Sequence, residues 1–305
     1  MNAASSSGGS ALRFAGRQTH GIQGGHMEIF GFDAFSPREI ADRVQAVGVT
    51  KARLPFLAMA MLGMAAGGFI GLGALYYTLI VSDPALPFAA SRVLGGVAFA
   101  MGLILVVVAG AELFTGNNLL VMAWADRRIT TAELARNWLV VYVSNAFGAI
   151  GLAVIVYLSQ HGELNQGAVA AHYVKIAAAK TALPFWEALF KGVLCNLLVC
   201  LALWIAMAGR SVTDKILAIV FPISAFVAAG FEHSVANMYF IPLGILLSGG
   251  GPAAPDWWGF AANLLPVTLG NIAGGSVMVA AVYHLIYNRA LRAPSDRAGQ
   301  ERSAR

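Results

Sequence analysis

Charge is what this sequence has least of. Only 11% of its 305 residues are Asp, Glu, Lys or Arg, and 58% are hydrophobic. Ordinary globular domains carry about 25% charged residues. With a mean hydropathy of +0.69, the composition excludes a soluble protein and describes a polytopic membrane one. The net charge of +5 is no argument for nucleic-acid binding, because no Lys/Arg run interleaved with aromatics is present. Cysteine is almost absent. Cys195 and Cys200 share one apolar stretch, and five apart on a helix they point in different directions and cannot bridge. No C-x-x-C or His-rich spacing suggests a metal, and no cofactor is expected. The N-terminal residues, polar and rich in Gly and Ser, lack the n-region and apolar h-region expected of a signal peptide.

What is present is apolar length. Segments able to cross a bilayer need about 20 residues, and they fall near Leu54–Val81, Val93–Trp124, Trp138–Leu158, Phe185–Met207, Ile216–Leu247 and Trp258–Tyr287. The stretch 1–35 reads as a disordered tail. Residues 36–53 read as an amphipathic helix on the membrane surface, with Ser36 as N-cap, Pro37 at the first helical position and Glu39 completing a capping box. Residues 161–182 read as an extracytoplasmic loop and 290–305 as a tail. Lys and Arg concentrate before Arg53, at Arg127, Arg128 and Arg136, at Arg210 and Lys215, and after Tyr287. The positive-inside rule therefore puts both termini in the cytoplasm.

The second and fifth spans are too long for straight crossings. Each carries a glutamate mid-span amid glycines and polar residues, which predicts an interruption. The two interruptions match. "AGAELFTGN" (Ala109–Asn117) and "AGFEHSVAN" (Ala229–Asn237) share Ala, Gly, Glu and Asn at an offset of 120. Asn137, Asn145, Gly148 and Tyr157 of the third span recur as Asn263, Asn271, Gly274 and Tyr283 of the sixth. "LPF" followed by Gly63 recurs as "LPF" followed by Gly192. The chain thus reads as two copies of a three-helix unit, 54–160 and 183–289. Three crossings are an odd number, so the second copy is inverted. Paired broken helices in inverted repeats are the architecture of a substrate pathway, and half-helix N-termini favour anions.

Ionisable groups at membrane depth cost at least about 2.5 kcal/mol on insertion scales, so those at the breaks need a reason. Glu112 and Glu232 are repeat mates, expected to accept N–H bonds freed by the breaks. Asn117 and Asn237 are expected to satisfy backbone in the same way. His233 has Leu113 as its mate and is the histidine near a midplane, where an imidazole can donate a hydrogen bond or a proton to a passing anion. Thr115, at the facing break, can fix that imidazole. His284 reads as interfacial, Lys180 by position as a solvated loop lysine, and Lys191 as an ion-pair partner of Glu187.

"AELFTGN", "GFEHSVANMYFIPLGI" and "NLLPVTLGNIAGG", with "NWLVVYVSNAFGA" and "GRSVTDK", resemble the formate/nitrite transporter family and its formate-channel branch. The resemblance runs from about Arg38 to Tyr287. It implies a homopentamer in the inner membrane whose protomers are aquaporin-like, each with its own pore. It implies His233 as the central pore histidine, Thr115 as the loop threonine, Lys180 as the residue drawing the anion in, and Asn196 and Asn271 as polar pore residues. Leu103, Phe99 and Phe226 become the apolar constrictions. The substrate implied is formate, or else nitrite or hydrosulfide, with protons as partners. "TGNN" at 115–118 departs from the Thr-Ser run usual in formate channels, and Lys191 replaces a common apolar residue. An aquaporin-like pore for neutral solutes lacks its paired Asn-Pro-Ala motifs. A membrane enzyme built on Glu232 and His233 lacks a second ligand at that depth.

Overall fold

Residues 34–251 and 254–290 are described by a computed structural model, and the two expected tails fall almost wholly outside them. Among the described residues the backbone is helical without β-strands, and one isolated bridge joins Ala34 to Gly209. The order is α1 (Pro37–Ala52), α2 (Phe56–Val81), α3 (Phe88–Leu105, continued as a π-helix over Val106–Gly110), α4 (Val121–Ala125, preceded by a 3₁₀ turn over Gly116–Leu120) and α5 (Thr131–Leu158). Then come α6 (Ala168–Thr181), α7 (Phe185–Ala206), α8 (Val212–Ala229), α9 (Ser234–Leu247) and α10 (Trp257–Ile272, continued as π-helix). Six of these elements are long and apolar enough to cross a membrane.

Local chemistry sets the ends. Ser36 with Glu39, Thr130 with Glu133 and Ser211 with Asp214 form complete capping boxes at α1, α5 and α8. Bonds from Ser36 also hold the Glu39 carboxyl below its usual range. The helices α2, α3 and α7 instead begin at the Phe of a Leu-Pro-Phe, with proline fixing the backbone just ahead of the first turn.

The two halves pack alike. α2 lies against α3 and α5, α7 lies against α8 and α10, and α3 meets α8 across the halves. The similarity extends beyond the expected three-helix units. α1 packs on the short helical stretch after the first break, and α6 packs on α9, the corresponding stretch after the second. Residues 37–52 and 168–181 are therefore mates at the offset of 129 that also relates Gly63 to Gly192. Two expectations change accordingly. α1 buries Ile40, Ala41 and Val44 against Leu119, Met122 and Val279 of its own chain rather than against lipid. The segment 161–182 is mostly helix, and Lys180 sits in the last turn of α6. Three crossings separate α1 from α6, so they occupy opposite faces. His284 is buried beside Asp126 and Asn288 rather than interfacial.

Before α1, Phe35 lies between the guanidinium groups of Arg43 and Arg210, at 3.7 and 4.1 Å from its ring centroid. Its N–H donates to the Ala208 carbonyl at 3.0 Å. This ties the start of α1 to the α7–α8 turn.

Candidate functional site

Both breaks are built by the same rule. The π-turn after α3 ends at Gly110 with φ +85°, and α8 ends at Gly230 with φ +75°. A left-handed residue reverses the chain there, which glycine does without steric cost. The next residues close five back, Ala111 N–H on Val106 O at 2.9 Å and Phe231 N–H on Phe226 O at 3.0 Å. The extended backbone that follows is held by the neighbouring helices. Glu112 N–H donates to Leu62 O, and Glu232 N–H to Lys191 O.

Asn145 and Asn271 satisfy most of what remains. Asn145 Oδ1 accepts from Phe114 N–H at 2.9 Å, and its amide donates to Gly63 O and Glu112 O. Asn271 Oδ1 accepts from Ser234 N–H at 2.9 Å, and its amide donates to Gly192 O and Glu232 O. Breaks at membrane depth are tolerated when their polar groups are paired, and these two asparagines do that pairing. Asn271, expected to face the pathway, is wholly buried and fully engaged in this pairing. Asn196 is wholly buried too, and its amide donates to Thr115 O and Asn271 O and couples the two breaks.

The carboxylates meet cations and amides instead of freed N–H groups. Lys51 Nζ lies 2.9 Å from Glu112 Oε1, and Lys180 Nζ lies 2.9 Å from both oxygens of Glu232. Asn117 donates to Glu112 at 2.7 Å and to Asn137 at 3.0 Å. Asn237 donates to Glu232 at 2.7 Å and to Asn263 at 2.7 Å. Asn137 then donates to Lys51 O, and Asn263 to Lys180 O. Buried charges are tolerated when paired and hydrogen-bonded, and each half supplies the same four residues. Lys51 was missed by the reading of the sequence. Its signal was available: the lysine stands three residues before Leu-Pro-Phe, as Lys180 does in "KTALPF". Symmetry fails at one atom. Asn117 Oδ1 accepts from Lys51, whereas Asn237 Oδ1 has no partner among the described residues.

His233 is where the halves differ most. It is the N-cap of α9, and its Nδ1 accepts from Ala236 N–H at 3.1 Å. Nδ1 is therefore unprotonated, and in the neutral ring the proton sits on Nε2. Nε2 lies 3.0 Å from Thr115 Oγ1, so a side chain from each break meets at this contact. Phe226 stacks beside the imidazole at 6.0 Å, and Phe99 meets Phe226 edge-on at 5.7 Å.

Two cavities approach this layer from opposite faces. One of about 210 Å³ is lined by Lys180, His233, Phe99, Phe226 and Asn237. The other, of about 640 Å³, is lined by Lys51, Glu112, Leu103, Gly110 and Lys215. Phe99 faces the first cavity and Leu103 the second, and four residues of helix rise about 6 Å. Along α3 the linings of the two cavities are thus one helical turn apart. Thr115, Asn196 and Asn271 stand on neither cavity wall.

Residues 38–285 match the family described as formate/nitrite transporter. The chain is 39% identical over 276 residues to the formate channel FocA of Escherichia coli K12, covering 85% of this chain and 96% of that one. It is 38% identical over 271 residues to a probable formate transporter of Methanothermobacter thermautotrophicus, covering 83% and 97%. Among solved structures, a pentameric formate channel with formate bound superposes with a TM-score of 0.71 at 36% identity, covering 77% of this chain and 98% of that one. An FNT family ion channel superposes with a TM-score of 0.73 at 31% identity, covering 80% and 97%.

Proposed function

The chain belongs to the formate/nitrite transporter family, and from that premise we propose that it conducts small monovalent weak-acid anions, formate first among them. It is a multi-pass membrane protein of a transport family, not an enzyme. In this reading it assembles as a homopentamer in the cytoplasmic membrane, each protomer holds one pore, and both termini are cytoplasmic.

The observation that carries the reading is the contact between His233 Nε2 and Thr115 Oγ1, made between two cavities whose linings are one helical turn apart along α3. An anion reaching Phe99, Phe226 or Leu103 must shed water, and a bare charge in apolar surroundings is very costly. An imidazole whose Nδ1 is held as an acceptor presents Nε2–H as its donor, with Thr115 fixing its direction. His233 hydrogen-bonds the arriving anion through Nε2–H, or, once a proton from the aqueous face has displaced the Ala236 N–H from Nδ1 and made the ring an imidazolium, passes the Nε2 proton to it, and the species crosses the layer neutral or nearly so. Lys180 holds the approach beside His233 at short range, and Glu232 keeps that ammonium in place. Strong-acid anions such as chloride cannot take the proton and are refused.

The test is uptake into sealed proteoliposomes of formate, nitrite, hydrosulfide and chloride, at about pH 5 and about pH 7, on either side of the imidazole range. The wild type is compared with His233→Asn. Formate leading, chloride excluded and a variant without pH dependence are the expected results. Nitrite or hydrosulfide leading would move the substrate within the family. An unchanged pH profile in the variant would sink the histidine mechanism.

A further inference from the structure

The lysines beside the breaks carry no net charge into either cavity. Lys180 is held by both oxygens of Glu232, and Lys51 by Glu112. Lys191, which also lines the smaller cavity, is paired with Glu187 at 2.6 Å. A closed ion pair acts at a distance as a dipole, and its field falls away much faster than that of a single charge. Recruitment of an anion from solution needs an uncompensated cation, because long-range steering follows net charge.

One such cation lines each cavity. Arg92, in the first turns of α3, lines the smaller one, and Lys215, in the first turn of α8, lines the larger. Among the described residues neither has a carboxylate within ion-pair distance. Arg92 is fixed in place. Its Nε donates to the Ala228 carbonyl at 2.7 Å, in the last turn of α8, and its guanidinium lies over Gly230, where an added Cβ would meet Nη2 at 2.8 Å. A cation is favourable at a helix C-terminus. That bond takes one of its five N–H groups and the Tyr77 hydroxyl meets another, which leaves donors facing the cavity, and the position is a few residues from His233. α3 thus brings its own half's cation to the break of the other half, and α8 does the same in return.

Resting on the anion-channel reading above, we infer that Arg92 is the anion-recruiting residue of the Lys180-side cavity and Lys215 that of the Lys51-side cavity. Lys180 and Lys51 act at short range, as counter-ions that hold Glu232 and Glu112.

The test is formate flux at fixed, sub-saturating formate and varied ionic strength, in right-side-out and inverted membrane vesicles. Wild type, Arg92→Gln, Arg92→Lys and Lys215→Gln are compared, and each is checked for amount and thermal stability. The Debye length shrinks from about 30 Å at 0.01 M to about 8 Å at 0.15 M. Wild-type flux should fall roughly tenfold over that range, the low end of measured steering effects. Arg92→Gln should lose that salt dependence for anion approaching from the Lys180 side, with the low-salt rate dropping to the high-salt one. Arg92→Lys should restore it, and Lys215→Gln should flatten only the opposite direction. Wild-type salt dependence surviving in Arg92→Gln overturns the inference. So does Arg92→Lys behaving like Arg92→Gln, which would make Arg92 a cap for α8 alone. If Arg92→Gln does not fold, a salt-independent wild type or a Lys215→Gln variant with an unchanged slope still overturns it. A wild type that carries no weak-acid anion at any ionic strength removes the channel reading itself, and this inference with it.

Discussion

Lys51 and Lys180 occupy the same place in the two halves. Each closes on a mid-span glutamate at 2.9 Å, and the carbonyl of each accepts an asparagine amide from the last span of its half. One lysine ends α1 and the other ends α6, so these helices belong to the repeat and are not appendages of it.

That equivalence makes Lys51 as sensitive as Lys180. The Glu112 side chain is 6% exposed and that of Lys51 is 27% exposed. Removing one partner of a buried pair costs about 3–5 kcal/mol, and partial solvation of Lys51 favours the lower end. Lys51→Met should lower the unfolding midpoint in detergent markedly, and adding Glu112→Gln should recover most of the loss. A Lys51→Met protein as stable as the wild type would show that Glu112 does not depend on the lysine.

Asn145 and Asn271 do the same work and should fail alike. Either alanine variant strands one buried N–H and two carbonyls, and each unpaired buried group costs about 1–3 kcal/mol. Asn145→Ala and Asn271→Ala are expected to lose folded protein to a similar degree on size-exclusion chromatography. A large difference between them would contradict the equivalence of the breaks.

His233 combines a cap with a pore donor, and two substitutions separate the roles. Asparagine caps well, whereas alanine at an N-cap costs about 1 kcal/mol. His233→Asn should keep the thermal stability of the wild type while its transport changes, and His233→Ala should lose both. Equal stability of the two variants would mean that the Ala236 N–H bond contributes nothing.

The glycines at the breaks should differ although their backbones match. A non-glycine residue in the left-handed region costs about 1–2 kcal/mol, and Gly110→Ala meets nothing within 4 Å beyond that strain. Gly230→Ala also displaces the Arg92 guanidinium at 2.8 Å. Thermal melts should rank Gly230→Ala below Gly110→Ala, and the reverse order would remove Arg92 from the second break.

Much of this was legible in one dimension because the bilayer enforces it. Six apolar runs, two overlong spans and a glutamate in each announce broken helices, since a charge survives at depth only in a built environment. The matching "AG-E" and "LPF" segments disclosed the duplication, and comparison carried three residues further upstream reaches Lys51. The amphipathic pattern of 36–53 and the modest polarity of 161–182 do not state what covers them. Membrane surface and protein surface accept the same apolar side, so their docking was invisible.

Hydropathy, glycine and proline act locally, so the crossings, the repeat and the places where helices stop could be read along the chain. Partner choice could not, because it depends on which helices pack together. Glu112 and Glu232 look equally able to take backbone N–H groups or cations until the packing of α1 and α6 brings a lysine to each. The same holds for Asn145 and Asn271, which stand on helices distant in sequence and complete the breaks only across a helix interface. Asn196, Thr115 and His233 come from three different helical stretches and meet at one contact layer. A side chain's chemistry is written in the sequence, but the group it satisfies is whichever one the packed helices leave within 3 Å of it.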